Sequence, residues 1–233
     1  TDRPEVWGMT HELVANYDEV PWSDNLRKTV FMNLLDRLVQ GGSVEVAERL
    51  FGETMQWATG KGDRALESWV LFAGSRLDYR RQDLYRARDR ARDALTIAEA
   101  GEDRFRAAEI HNHLAMIELS DGNPNAALEQ VGIALERSDA PPIQAHAAFV
   151  RGLVARRDRK FPEAVEHFRK ANEVAGGAGL GPLALEAAVS LGEALLGSRQ
   201  TAQATDVLTR SVQIAQALQN PLRERAAVAL LAQ

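Results

Sequence analysis

Residues 108–138 read AEIHNHLAMIELSDGNPNAALEQVGIALERS, and this stretch decides the fold. Asp121-Gly122-Asn123-Pro124 is a tight-turn sequence, in which Gly accepts a positive φ and Pro suits the first turn of a following helix. It separates two runs of helix-forming residues, so the stretch reads as one helix folded back on another. The second helix carries Ala127, Val131 and Ala134, a small-x3-large-x2-small pattern placed where two helices must approach closely. The same pattern returns on either side.

Working outward, the equivalent alanines are Ala47, Ala87, Ala127, Ala164 and Ala204, at intervals of 40, 40, 37 and 40 residues. Four residues on come Phe51, Ala91, Val131, Phe168 and Leu208; seven on come Thr54, Ala94, Ala134, Ala171 and Ser211, all small. In the preceding helices the close-packing point reads Leu34-Leu35, Ala73-Gly74, Leu114-Ala115, Arg151-Gly152 and Leu191-Gly192. A small side chain lets paired backbones approach, and the larger one four residues on fills the groove beside it. The spacing therefore predicts five helix pairs over residues 23–220, punctuated by Gly41-Gly42, Gly60-Lys61-Gly62, Gly101, Pro141-Pro142 and Asn220-Pro221. Residues 1–22 are read as a lead-in helix, with Val6, Met9, Leu13, Tyr17 and Val20 on one face, and residues 221–233 as a C-terminal helix without a partner. No segment alternates long enough to be a strand.

The recurrence resembles the tetratricopeptide repeat (TPR) family, whose pattern has L-G in the first helix and A-x3-F in the second. The resemblance covers residues 24–233. These units are longer than the usual repeat of about 34 residues, and aliphatic residues mostly replace the consensus Trp and Tyr. In that they look similar to the sensor arrays of bacterial signal-transduction ATPases, maltose-type transcription activators and peptide-sensing regulators. The resemblance implies an all-α, right-handed α-solenoid of five TPR-like pairs with an extra helix at each end. It further implies a protein- or peptide-binding scaffold within a larger protein, or alternatively a sensor module that takes a small effector or signalling peptide. In this family first helices line a concave groove. The residues flanking their core stripe here are Asn33, Asp36, Phe72, Tyr79, Asn112, His113, Met116, Phe149, Arg156 and Glu193. They do not reproduce the Lys-rich, Asn-paired carboxylate clamp of the chaperone adaptors.

Composition narrows the classes. A net charge of −5 gives no general drive toward nucleic acid or an anionic membrane. There is no cysteine, hence no thiol nucleophile and no Cys-ligated metal, in keeping with a reducing, cytoplasmic setting. No apolar run reaches the length of a membrane span, and the first residues lack the basic and apolar regions of a signal peptide.

The remaining constellations are weak. His111 and His113 lie two apart on a helix and point away from each other, so they cannot grip one metal. His113 and His146 could meet across neighbouring first helices, but no metal or other cofactor is expected. The run GGAGLG at 176–181 superficially resembles a phosphate loop, yet no strand precedes it, and a flexible linker is the better reading. No G-x-S-x-G or G-x-x-x-x-G-K-[ST] is present, and no enzymatic activity is expected. Between Arg76 and Arg92 lie seven arginines, but Asp78, Asp83, Asp89 and Asp93 alternate with them, which favours a solvated, neutralised face over a nucleic-acid patch. The turn Arg156-Arg157-Asp158-Arg159-Lys160 is less neutralised and is the better candidate to meet an acidic partner.

Overall fold

The computed structural model describes residues 24–232 apart from Gly42 and Gln219; the lead-in helix expected over residues 1–22 lies outside them. Eleven helices follow in order: α1 (Asp24–Gly41), α2 (Val44–Lys61), α3 (Arg64–Arg80), α4 (Leu84–Ala100), α5 (Arg104–Ser120), α6 (Pro124–Arg137), α7 (Pro141–Arg157), α8 (Phe161–Gly177), α9 (Gly181–Gly197), α10 (Thr201–Ala217) and α11 (Pro221–Leu231). Odd-numbered helices are the first of each pair and even-numbered helices the second. The fold is an all-α solenoid of repeated helix pairs. No helix among the described residues is long and apolar enough to cross a membrane.

The repeat register places the core. Ala47, Ala87, Ala127, Ala164 and Ala204 are all 0% exposed, and every one of the small residues seven positions later is equally buried. Thr54 and Ser211 tolerate this because each hydroxyl donates to a carbonyl four residues back, on Leu50 and Val207. Gly152 and Gly192 are required by contact. A Cβ on Gly152 would lie 2.6 Å from the Phe168 ring, and one on Gly192 would lie 2.5 Å from Leu208. Gly74 is crowded too, but by Phe51 of the preceding pair at 2.5 Å.

The chain divides into two compact units, one ending at Ile117 and the other running over 118–233. In the N-terminal unit α2 packs on α1 and α3, α3 on α4, and α1 reaches α3. Ala107, Ile110, Leu114 and Ile117 of α5 close the cluster formed by Phe72, Ala87, Ala91 and Ala94. Side-chain caps start its helices: Ser43, Asp63, Asp83 and Asp103 accept from the backbone amides of Val46, Leu66, Arg86 and Arg106. In the C-terminal unit α6 packs on α7, α7 on α8, α8 on α9 and α9 on α10. There α6 to α9 begin with a proline in the first turn and no side-chain cap.

One expectation changes. Residues 176–181 are not a flexible linker: α8 continues through Gly177, Gly179 takes φ 71°, and α9 begins at Gly181. The Leu180 N–H donates to Ala175 O at 2.9 Å, so a left-handed residue closes a tight helix-to-helix turn. The C-terminal helix, α11, packs on both α9 and α10 of the preceding pair and buries Ala227 among Leu185, Val189 and Leu208. Ala227 stands 40 residues after Ala187, so α11 occupies the first-helix position of the next pair.

Candidate functional site

The first-helix face of the N-terminal unit gathers polar and aromatic side chains from α1, α3 and α5. Phe72, Asp78 and Tyr79 come from α3 and His113 from α5. The His113 ring meets Phe72 edge-on at 5.5 Å and Tyr79 at 5.6 Å. Its Nε2 lies 3.0 Å from Ser75 Oγ. Ser75 donates its own proton to Ala87 O at 2.6 Å, so His113 is the donor of the pair and carries its proton on Nε2. The result is a fixed, half-exposed Tyr79–His113 shelf over a buried Phe72.

Charge surrounds the shelf in compensated form. Arg76 of α3 donates to Asp36 of α1 at 2.7 Å, and Arg106 donates to Glu109 at 2.6 Å on α5. Both guanidinium groups also stand over the Phe72 ring, at 5.9 Å and 5.7 Å. Burial holds the Glu109 carboxyl above the usual glutamate range, opposed by Arg106 and Arg76. Arg80 reaches back to cap α1, donating to Leu38 O and Val39 O. Beyond the shelf, Asn33 is exposed and Met116 is half-buried.

The C-terminal unit repeats the device with different residues. Arg156 of α7 pairs with Glu193 of α9, and Arg223 of α11 pairs with Glu186 of α9. Desolvation raises the Glu186 carboxyl against the pull of Arg223. Phe149 packs on Phe168 at 5.7 Å, and Arg156 stands 5.9 Å from the same Phe168 ring.

The ten residues singled out from sequence thus fall into three groups. Asn33 is exposed, and Tyr79, His113 and Met116 are half-buried on the first-helix face. Asp36, Arg156 and Glu193 are partly accessible but committed to ion pairs between successive first helices. Phe72, Asn112 and Phe149 are buried, at 8%, 4% and 4% exposure. Ser75, which bonds His113, and the Arg106–Glu109 pair beside Phe72 carry no sequence signal of their own. A search for opposite charges one repeat apart would have found Asp36–Arg76, Arg156–Glu193 and Glu186–Arg223, spaced 40, 37 and 37 residues.

Four of the seven arginines in the run engage cross-helix partners, three of them carboxylates. Arg76 engages Asp36, Arg80 the α1 carbonyls, Arg81 Glu48, and Arg90 the buried Asp78 at 2.8 Å while stacking over Phe51. Among the described residues no group of three His, Asp or Glu could hold a metal ion. His146 bonds Pro142 O through Nδ1 at 2.9 Å.

No protein-family profile matches the chain. No curated protein matches it by sequence. Solved structures do, and the fold they share is that of tetratricopeptide-repeat proteins. BtubC from P. vanneervenii superposes with a TM-score of 0.67 at 19% identity, covering 94% of this chain and 93% of that one. Bacillus thuringiensis PlcR, solved with the peptide PapR7 and DNA, gives 0.72 at 15% identity over 93% of this chain and 79% of PlcR. A signal transduction ATPase with a tetratricopeptide repeat sensor from Pyrococcus horikoshii gives 0.68 at 18% identity, covering 98% of this chain but 36% of that protein.

Proposed function

We propose that this chain is a protein- or peptide-binding TPR module, with the Tyr79–His113 shelf of the N-terminal unit as its contact surface. The observation that carries the reading is the arrangement around His113. A half-exposed aromatic pair is locked by Ser75 and ringed by charges that are already matched. Such a surface offers aromatic anchors without an uncompensated charge, which suits a peptide or helix of mixed character better than a metabolite or polyanion. The likeness to PlcR, whose structure holds a peptide, supports the same reading. The absence of nucleophile and nucleotide motifs supports a non-enzymatic role, and the cysteine-free composition supports a cytoplasmic one. Affinity capture from cell extract with the intact chain tests the reading: retained proteins or peptides are expected, and retention of small metabolites or nucleic acid alone would overturn it.

A second reading is supported by the likeness to the sensor-bearing ATPase and to PlcR. In it the module senses an effector peptide and repositions an attached ATPase or DNA-binding region. The full reading frame decides between them: a neighbouring nucleotidase or helix-turn-helix region supports the sensor, and a frame coding for this module alone removes it.

A further inference from the structure

Turns joining a first helix to its second hold one residue at positive φ: Gln82 at 63°, Gly122 at 90°, Arg159 at 59° and Arg199 at 59°. Glycine adopts this conformation freely, whereas a side chain is strained there. Arg159 and Arg199 are 40 residues apart, so they occupy equivalent positions in successive pairs of the C-terminal unit. Both are exposed, and among the described residues neither side chain has a hydrogen-bond or ion-pair partner.

Their neighbours add to the positive field. Arg157 donates only to neutral groups, Leu119 O and Gly122 O. Lys160 lies 3.4 Å from Asp158, and Glu163, in the first turn of α8, lies 3.8 Å from His167. With Asp121 beside the Gly122 carbonyl that Arg157 reaches, four cations (Arg157, Arg159, Lys160, Arg199) stand against three carboxylates (Asp121, Asp158, Glu163). Here α8 and α10 also begin, at Lys160 and Gln200, with no side-chain cap on their first amides. Their positive ends lie at these same two turns.

We propose that this edge of the C-terminal unit docks an acidic, Asp/Glu-rich segment of a protein partner, laid across the Arg159 and Arg199 turns. Guanidinium forks take carboxylates bidentately, and exposed charges of this kind chiefly steer and orient a partner. A short acidic peptide fits better than nucleic acid, because the edge is two turns wide and the chain carries a net charge of −5, which repels a long polyanion. The edge is separate from the Tyr79–His113 shelf and does not depend on it.

Fluorescence anisotropy with labelled octaglutamate at low ionic strength tests this on the intact chain. Binding that weakens with salt is expected, and Arg159→Gly/Arg199→Gly should weaken it about tenfold. That pair of changes relieves the left-handed strain, so its thermal stability should match or exceed the parent's, separating lost charge from lost fold. The control Arg169→Ala/Lys170→Ala, which removes two exposed cations from α8, should stay within about twofold. The proposal is overturned by absence of octaglutamate binding at low salt or by equal weakening in the control. It is also overturned if an octathymidylate binds more tightly than octaglutamate through the same two arginines.

Discussion

Substituting alanine at Gly152 tests whether the repeat pattern exists for close helix approach. The added Cβ would sit 2.6 Å from Cδ1 and Cε1 of Phe168 and 3.0 Å from Cγ. Carbon atoms pack comfortably at about 3.5–4.0 Å, so either α7 or the ring must move by about 1 Å. Phe168 has no room to move: it is fully buried, with Phe149 on one side and Arg156 on another. Overpacking of this kind costs about 1–3 kcal/mol, against a gain of about 1 kcal/mol in helix propensity. The expected net loss is up to about 2 kcal/mol, or a melting temperature lower by up to about 8 °C. Gly132, in α6 of the same unit, supplies the control, because a Cβ there meets nothing within 4 Å. Gly132→Ala should stabilise by up to about 1 kcal/mol. In a double-mutant cycle with Phe168→Leu, Gly152→Ala should show a coupling of about 0.5–3 kcal/mol, the double variant being less damaged than the sum of the singles. The reasoning fails if Gly152→Ala is as stable as the parent and the coupling is zero.

Other outcomes follow from the charges. Replacing Arg90 with Met leaves Asp78, 1% exposed, facing the core without its cation, and chemical denaturation should show a loss of about 3 kcal/mol at neutral pH. Part of that loss should return on acidification, since burial already raises the Asp78 carboxyl and its proton removes the stranded charge. Glu186 is likewise raised above its ordinary value of 4.5, so the folded state holds its proton longer than the unfolded state. Its contribution is greatest below that value and is lost as pH rises through the folded pKa. Accordingly, the melting temperature of Glu186→Gln minus that of the parent should grow as pH rises above about 4.5; a flat or falling difference would refute the assignment. Asp63 behaves in the opposite sense: its hydrogen bond from Lys28 lowers it, so Lys28→Met should remove stability above about pH 4 and little below it.

Much of the fold was legible because second helices are simple objects. They bury one narrow stripe, four residues in α4 and four in α10, so small residues at a fixed spacing mark their buried face. First helices are packed against their own partner, the preceding second helix and neighbouring first helices. They bury far more, ten residues in α3 and nine in α9. With so wide an apolar arc, periodicity cannot separate a residue at the edge of the core from one facing a ligand. Phe72, Asn112 and Phe149 fit the groove-flanking pattern in sequence yet are buried, while Tyr79 and His113 keep part of their surface exposed. The ionic positions were hidden for another reason: Asp36 and Arg76 look like ordinary solvated charges until the repeat frame sets them side by side. Left-handed turns were legible only at glycine. At Gln82, Glu102, Arg159 and Arg199 the same geometry is imposed by the packing of the helices on either side, with no residue type to announce it.

The most direct test of the binding account is site-specific photo-crosslinking in cells. A benzophenone amino acid would be placed at Asn33 or Tyr79 on the first-helix face, and at Tyr85, which is 79% exposed on a second helix. The account predicts a protein or peptide adduct from positions 33 and 79 and none of that kind from position 85. Adducts from position 85 alone, or no polypeptide adduct from any of the three, would contradict it.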